Sequence, residues 1–418
     1  MSAINVNSIT GRTGTHGPVL TGVTTATNGL HVGSGVSVSG ISTFNNTVVG
    51  GATTELVVGG DARITGILTV GQSSVTISGD GISGITTAGI TTAYVTSIND
   101  LNFPTAGALS NRNLVINGDH RVHQRGTSVS LTDGTATFLT DRFQAYESTG
   151  GSLNMANVAE GPDNFVNSTK ITVTSADTSL STGQQTWIRH RVEGNNIAHL
   201  NWGSSAAQTV TLSFYVRSSV TGSFSVSLQN SAGNRVYPVL YTISAANTWE
   251  RKTITIPGET SGTWYTDNRT GITIYWSFGM ASNLQGTPGQ WNSSSARTAT
   301  GETQLIATNG ATWQITGVQL EVGSKTTPFE HRSYSDELSR CQRYYEVHGV
   351  QLDTAQNGSG TGYGTWYFKQ TKRDTPGTAS DAGGISTGTN VLSSTGWQIY
   401  GSASALRMTV NAFVSSEL

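Results

Sequence analysis

Alternation of apolar and polar residues dominates the middle of this chain. Apolar side chains occupy every second position over residues 209–216, and the same period returns at 224–228, 254–256 and 272–278. A period of two places successive side chains on opposite faces of a β-strand. A last strand is expected to start at Trp313. Because many short strands follow one another without a helical period, this region is predicted to be a jelly-roll β-sandwich.

A short phrase recurs along the first 110 residues, starting at glycines 22, 40, 66, 84 and 89 and reading Gly-Ile-Thr-Thr or a close variant. β-Branched runs punctuated by glycine predict strands and turns. The stretch has three aromatic residues and no tryptophan, which is too little apolar mass for a core of its own. Repeat units that cannot bury their own apolar faces are stabilised by stacking on neighbouring units. Because this repeat is imperfect along the chain, the neighbouring units are expected to belong to identical chains. The sequence therefore predicts a repetitive β rod that exists only as an oligomer.

One helix is predicted after the sandwich. Ser333 and Asp336 have the spacing of an N-terminal cap. A single apolar stripe follows at i, i+4, i+7 and i+11, formed by Tyr334, Leu338, Cys341 and Tyr345. A helix of roughly 13 residues is marginal alone and must pack on something. Tyr and Cys in the stripe disfavour a tight coiled coil, so we expect the helix to pack against a β domain and to join the body to the tip.

Alternation returns after the helix and gives a small C-terminal β tip. The chain is thus predicted to be all-β apart from one helix. Four segments are expected. Residues 1–110 form a rod that also attaches to a larger particle, residues 111–330 a jelly roll, residues 331–347 a connecting helix and residues 348–418 the tip.

Composition narrows the classes of function. The 418 residues carry a net charge of −2, and charged residues make up 11%, against roughly 25% in ordinary soluble proteins. No basic stripe marks a nucleic-acid partner. No apolar run approaches the roughly 18 residues of a membrane span, and the N-terminus lacks the pattern of a signal peptide. The single cysteine, Cys341, excludes an internal disulfide and a cysteine-built zinc site.

Two phrases bound the middle region. The opening phrase comprises Asn-Leu-Val-Ile-Asn-Gly-Asp at 113–119, His-Gln-Arg-Gly at 123–126 and Thr-Asp-Arg-Phe at 140–143. The closing phrase comprises Trp-Gln-Ile-Thr-Gly-Val-Gln-Leu-Glu-Val-Gly at 313–323 and Thr-Pro-Phe-Glu at 327–330. They resemble the first and closing strands of carbohydrate-binding-module-like jelly rolls in phage tail proteins. The helix at 336–345 resembles the segment that follows in phage fibres, and the rod is similar in style to cyanophage structural proteins.

The resemblance implies a tail fibre of a virion, commonly a homotrimer, whose N-terminus docks on phage tail or adaptor proteins. Its distal domains would attach the phage to host cell-surface polysaccharide by multivalent, non-covalent binding. Two alternatives stay open: a passive head or tail connector without a receptor site, and a depolymerase that cleaves glycans. No nucleophile elbow, P-loop or zinc-protease motif occurs and the acidic residues are scattered, so the expectation is that the protein is not an enzyme.

Aromatic residues in loops are the candidates for carbohydrate binding, because a sugar ring stacks on Trp or Tyr while amides and carboxylates take its hydroxyls. Two loops supply such groups, with Trp264, Tyr265, Asp267 and Asn268 in one and Trp291 and Asn292 in the other. The alternative is that both tryptophans plug an end of the sandwich or a subunit seam. Trp276 and Trp313 lie in alternating strands and are expected in the core.

A structural calcium ion is a further possibility near the first and last strands of the jelly roll. Asp119 and Glu321 are the weak candidate ligands. The alternative is an ion pair of Arg125 or Arg142 with Asp141 or Glu321. His120 and His123 are three residues apart on an expected strand, so their side chains would point to opposite faces and share no metal.

Overall fold

A computed structural model describes residues 97–98, 101–102, 110–131, 133–353, 360–381, 386–403 and 407–418. The chain divides into two units, residues 1–89 and 90–418, and everything described belongs to the second. The predicted repetitive rod therefore lies almost entirely outside the described residues, and its trimeric assembly stays a prediction. Within the described part, no helix is long and apolar enough to cross a lipid bilayer.

Strands account for nearly all regular structure. The strands before the helix are β1 (Ser97–Ile98), β2 (Leu101–Asn102), β3 (Ser128–Leu131), β4 (Thr137–Phe138), β5 (Phe143–Glu147), β6 (Ser152–Val158), β7 (Ser168–Ser175), β8 (Gln185–Glu193), β9 (Val210–Ser218), β10 (Gly222–Asn230), β11 (Val236–Ile243), β12 (Glu250–Ile256), β13 (Thr270–Met280), β14 (Gln285–Gly286), β15 (Thr298–Ala299) and β16 (Thr312–Val322). Helix α1 spans Tyr334–Gln342. The strands after it are β17 (Tyr345–Asp353), β18 (Gly360–Tyr367), β19 (Gly377–Asp381), β20 (Ser386–Leu392), β21 (Gly396–Ala403) and β22 (Arg407–Ser415).

Two antiparallel six-stranded sheets form the predicted sandwich. The first sheet has the order β11-β10-β13-β8-β5-β4, and the second has the order β12-β9-β16-β7-β6-β3. Their facing side chains form one continuous core, in which Trp276 and Trp313 are fully buried, as predicted. The strands expected at 209–216, 224–228, 254–256 and 272–278 are confirmed as β9, β10, β12 and β13. The all-β jelly-roll prediction is therefore confirmed for the body of the chain.

The opening phrase does not form the expected first strand. Residues 113–119 run without regular structure beside β16, and the Asn113 side chain makes the bonds that a strand would make: Oδ1 accepts from the backbone of Leu320 at 3.1 Å, and Nδ2 donates to Val318 O at 3.0 Å. Val318 N also donates to Gly118 O at 2.9 Å. The opening and closing phrases are thus neighbours in space, although only the closing one is a strand.

The strand-based argument about the two histidines is wrong for the same reason. His120 lies in a turn with a φ of 57°, is fully buried, and packs 4.1 Å from the Phe143 ring. Burial lowers the pKa of His120 to about 3, so it is neutral in the folded protein.

Helix α1 begins as predicted and ends earlier than predicted. Ser333 Oγ accepts from the backbone nitrogen of Asp336 at 3.2 Å, which confirms the cap. The helix spans nine residues, and Tyr345 already belongs to β17. The predicted stripe is only partly buried, because Cys341 is enclosed whereas Tyr334 is 53% exposed. Cys341 packs with residues of the opening segment of the sandwich and with Tyr344, so the expected packing against a β domain is confirmed.

The strands after the helix form a third antiparallel sheet, with the order β19-β22-β17-β18-β21-β20. Its link to the sandwich includes buried ion pairs. Arg142 of the sandwich binds the Glu417 carboxylate, and Arg125 Nη2 lies 3.0 Å from Glu417 Oε1. The expected boundaries between body, helix and tip stay predictions.

Candidate functional site

The outer face of the first sheet combines aromatic and cationic side chains. Alternation along β8 places Ile188 and Val192 in the core and leaves Trp187, Arg189 and Arg191 on the opposite face. On the neighbouring strand β5 the partly exposed side chains are Gln144 and Tyr146. We call these five residues, together with Tyr275 of β13 and Arg297 of the adjoining loop, the aromatic–arginine face.

The rings of this face are held in a fixed arrangement. Tyr146 stacks on Trp187 with centroids 5.1 Å apart and an interplanar angle of 17°, while Tyr275 meets Trp187 edge-on at 5.2 Å. The guanidinium of Arg189 lies 4.3 Å from the Trp187 ring centroid, a cation–π contact. Its Nε donates to Gln144 Oε1 at 2.9 Å and its Nη1 to Tyr275 Oη at 3.0 Å. The arrangement is therefore preorganised, and Trp187 itself is only 3% exposed beneath its neighbours.

Three arginines of the face lack an acidic side-chain partner among the described residues. No Asp or Glu side chain in that part of the chain forms an ion pair with Arg189, Arg191 or Arg297, although Arg191 Nη1 donates to the main-chain oxygen of Leu418. Burial and the nearby charge of Arg189 together lower the pKa of Arg191 to about 10. Burial and the charge of Arg297 also lower the pKa of Arg189. The face thus concentrates three guanidinium groups, and no Asp or Glu side chain of the described residues forms an ion pair with them.

A loop covers the rest of the outer face. Residues 281–300, which include β14 and β15, lie across β10 and β13. Ser227 Oγ donates to Arg297 O at 2.6 Å, and Gln229 Nε2 donates to Ala296 O at 3.0 Å. Because these polar side chains of β10 are buried under the loop, access from solvent is concentrated over β5 and β8, where Gln144, Tyr146 and Arg189 are partly exposed.

Glu302 lies under this loop, and its substitution should change how stability depends on pH. The residue keeps some exposure, but its carboxyl group accepts from Ser277 Oγ at 2.9 Å and Met280 N at 3.2 Å, and burial raises its pKa to about 7. A carboxyl with a raised folded-state pKa adds stability below its unfolded pKa and loses it as the pH rises through 7. Glu302→Gln should therefore raise the free energy of unfolding by about 3 kcal/mol at pH 8 and change it little at pH 4.5. Urea unfolding of the wild type and the variant at both pH values measures the difference in the free energy of unfolding. An equal difference at the two pH values would contradict a raised pKa of Glu302.

The two tryptophans predicted to bind sugar lie together in an aromatic cluster. Trp264 and Trp291 each meet Trp202 edge-on, at 4.7 and 5.5 Å, and they lie 5.7 Å from each other. Trp264 is 7% exposed and donates its indole N–H to Ser261 O at 3.0 Å. Trp291 is less buried and donates to Pro257 O at 2.9 Å. The cluster packs against the core, an arrangement that favours the packing alternative, and the sugar-binding role stays a prediction.

The polar residues of the same loops bond within the protein. Arg269 Nη2 donates to Asp267 at 2.6 Å, which lowers the pKa of Asp267 to about 2, and the Arg269 guanidinium lies 3.5 Å from the Tyr265 ring centroid. Asn268 Nδ2 donates to Arg373 O at 3.0 Å, so this side chain faces the segment that precedes β19. Asn292 Nδ2 donates to Gln290 O at 2.8 Å and holds its own loop.

The calcium candidates bond to groups of the protein, and their role as calcium ligands stays a prediction. Glu321 accepts from Thr327 N at 2.9 Å and from Thr327 Oγ1 at 2.6 Å, and Arg112 Nε lies 3.6 Å away. Asp119 pairs with Arg121. Nowhere in the described part do three His, Cys, Asp or Glu side chains come together as a group that could hold a metal ion. The ion-pair alternative is confirmed for Arg125 and Asp141, at 3.4 Å.

Comparison with known proteins gives a limited result. No protein-family model matches the sequence, and no curated protein matches it either. Among solved structures, the enzymatically active domain of tailspike protein 4 of bacteriophage CBA120 is similar, with a TM-score of 0.27 and 12% identity over 50% of this chain and 21% of that one. The family 11 carbohydrate-binding module of the cellulase Lic26A-Cel5E of Clostridium thermocellum gives a TM-score of 0.24 and 13% identity over 48% of this chain and 96% of that one. A phage tailspike and carbohydrate-binding modules are thus among its structural neighbours, but TM-scores this low assign no function.

Proposed function

We propose that this chain is a non-enzymatic fibre protein of a phage tail that attaches the virion to host surface polysaccharide. The observation that supports the binding role is the aromatic–arginine face: a stacked Tyr146–Trp187 pair bordered by Arg189, Arg191 and Arg297, none of which forms an ion pair with an Asp or Glu side chain of the described residues. The opening and closing phrases, which resemble those of phage tail jelly rolls, support the virion context.

The chemistry of the face suits polysaccharides that carry acidic groups. Aromatic rings offer apolar area to the C–H face of a sugar, and guanidinium groups bind carboxylate or phosphate with two parallel hydrogen bonds. Each site would be weak alone. Several copies in a homotrimeric fibre would raise the overall affinity through effective concentration. The binding partner is therefore proposed to be an acidic bacterial polysaccharide, and the fibre would dock on the tail through its N-terminal rod.

A passive connector is the second candidate. The cluster of Trp202, Trp264 and Trp291 favours it, because these rings pack on one another instead of facing solvent. A connector would show no glycan binding while remaining a folded oligomer.

Loss of the exposed groups of the aromatic–arginine face should weaken polysaccharide binding. Tyr146→Ala and Arg189→Gln are each expected to lower affinity about tenfold, equivalent to about 1.4 kcal/mol, because they remove a stacking surface and a charged donor. Binding of the full-length protein to immobilised acidic and neutral bacterial polysaccharides measures this. Arg217→Gln is the matched control, since Arg217 pairs with Glu160 on the second sheet.

Three results bear on the proposal in this experiment. Wild-type binding to acidic polysaccharide that weakens with added salt supports it. Unchanged affinity in both variants contradicts the assignment of the face. Shortened polysaccharide chains after prolonged incubation would show an enzyme instead.

A further inference from the structure

A concavity lies on the outer side of the second sheet of the sandwich. It has a volume of about 430 Å³ and lies between the loop that joins β6 to β7, the outer face of β9, and the segment that follows β16. This volume is within the usual range of about 300–1,000 Å³ for small-molecule sites. We call it the second-sheet pocket. It shares no residue with the aromatic–arginine face.

Aromatic rings form the wall of this pocket. Phe165 lies at the centre, 5.3 Å from Tyr215 and 5.1 Å from Phe329, and the His331 ring stands 4.9 Å from Phe329. Phe165 is buried by its neighbours, whereas Tyr215 and Phe329 are partly exposed and His331 is exposed. Tyr215 points away from the core because it alternates with the buried Phe214 and Val216 on β9. The wall therefore offers apolar ring surface to an incoming molecule.

A glycine in the closing phrase makes this wall possible. Gly317 has a φ of 62° at a bulge in β16, where the register with β9 shifts between Thr316 and Gln319. A Cβ atom at this position would lie 2.8 Å from Phe165 Cζ and 2.9 Å from Tyr215 Cδ2. Only glycine allows the left-handed backbone and the close approach of both rings at once. The Thr-Gly-Val sequence of the closing phrase thus shapes the pocket as well as the strand.

Polar groups with unused hydrogen-bonding capacity line the rim. Within the described part of the chain, Asp163, Asn164 and His331 make no side-chain hydrogen bond or ion pair, although all three border the pocket. To other described residues, Arg251 donates only through Nη2, which contacts Thr326 Oγ1 at 3.0 Å and Thr327 O at 2.8 Å, so Nη1 and Nε are available to a ligand. The rim thus supplies a carboxylate, an amide and a guanidinium beside an aromatic wall.

We infer that the second-sheet pocket binds an uncharged saccharide of one or two rings. A sugar ring has apolar C–H faces that suit Tyr215 and Phe329, and its hydroxyls both donate to Asp163 and accept from Arg251. The charges of Asp163 and Arg251 have opposite sign, so the pocket does not favour a charged ligand as the aromatic–arginine face does. This inference does not rest on the proposed function, because a different sheet and different residues carry it.

Ligand-observed NMR with the full-length protein tests the pocket. The probes are the neutral sugars glucose, galactose, mannose, rhamnose and N-acetylglucosamine and their disaccharides, with adenosine as a stacking ligand of another class. Saturation transfer to at least one neutral sugar is expected. Asp163→Asn and Arg251→Gln should each weaken its binding about tenfold, because each removes one charged hydrogen-bonding group. Both residues are exposed on the rim, so these variants are expected to fold.

Matched controls separate this site from the rest of the surface. Glu160→Gln changes an acidic residue of the same loop that pairs with Arg217 and does not line the pocket, so it should leave sugar binding unchanged. Tyr146→Ala should also leave neutral-sugar binding unchanged, even if the same variant no longer binds acidic polysaccharide. Absence of transfer to every neutral sugar, transfer to adenosine alone, or equal binding by all variants would overturn the assignment.

Discussion

Trp276→Ala is expected to lower the free energy of unfolding of the sandwich by about 3–5 kcal/mol, the usual effect of emptying a buried tryptophan site. The indole is fully buried between the sheets, 5.8 Å from the Phe214 ring and 6.4 Å from the Phe143 ring. Its removal leaves a cavity lined by residues of both sheets, which the antiparallel strand pairing on each side prevents from closing. Guanidinium chloride unfolding followed by circular dichroism measures the change.

Two further variants define the cause of this effect. Trp276→Phe retains most of the ring volume and removes an indole N–H that has no partner in the described part of the chain, so it should cost much less than alanine. Val166→Ala, at a side chain that is 68% exposed, should stay within about 0.5 kcal/mol of the wild type. A Trp276→Ala effect as small as that of Val166→Ala would show that the two sheets do not share one core.

Glu417→Ala should also lower the free energy of unfolding by about 3–5 kcal/mol, because it leaves a buried arginine without its anion. The Arg142 side chain is 1% exposed, its guanidinium lies 3.5 Å from the Tyr344 ring centroid, and its Nη2 donates to Arg191 O at 2.7 Å. The Glu417 carboxylate is the acidic group that pairs with it among the described residues. Thermal unfolding of the full-length protein measures the loss.

A double variant distinguishes a buried charge from a simple loss of packing. Arg142→Met combined with Glu417→Leu removes both charges and should recover most of the stability that Glu417→Ala loses. Asp374→Ala removes an exposed acid 3.8 Å from Arg373 and should have little effect. If the double variant were less stable than Glu417→Ala, the buried charge would not be the cause.

Local sequence patterns predicted five of the twelve strands of the sandwich. The alternation at 209–216 became β9 and that at 272–278 became β13, because a strand with one face in a core must repeat every two residues. The pattern did not reveal that β13 is buried on both faces, since the loop 281–300, which follows the strand, folds back over its outer side. Whether a segment forms a strand depends on its local sequence, whereas burial of the outer face of that strand depends on tertiary packing.

The opening phrase and the helix end show where local patterns fail. The apolar run at 113–119 looks like a strand, but it contacts β16 through the Asn113 side chain and isolated backbone bonds, such as that from Val318 N to Gly118 O, without forming a regular ladder. Only the position of a distant strand decides this arrangement. The helix stops before the predicted stripe is complete because Tyr344 is buried, donates its hydroxyl to Glu193 at 2.6 Å, and leads directly into β17.

The candidate sites depended on strand pairing that no single segment encodes. Trp187 and Arg189 alternate with core residues on β8, and this alternation is visible in the sequence. The contact of Trp187 with Tyr146, however, requires β5 to be the neighbouring strand. The second-sheet pocket likewise needs the bulge at Gly317 to bring Phe165 and Tyr215 together. The loop tryptophans 264 and 291 were the stronger sequence signal, yet the fold brings both against Trp202.

Hydrogen–deuterium exchange of the full-length protein, with and without an acidic bacterial polysaccharide that it binds, measures most directly whether the aromatic–arginine face is the receptor site. Slower exchange is expected in peptides that contain β5 and β8, with no change in the loop at 159–167, and Arg189→Gln should reduce the slowing at the same polysaccharide concentration. Slowing confined to the loops around residues 264 and 291, or no slowing in β5 and β8, would contradict the assignment.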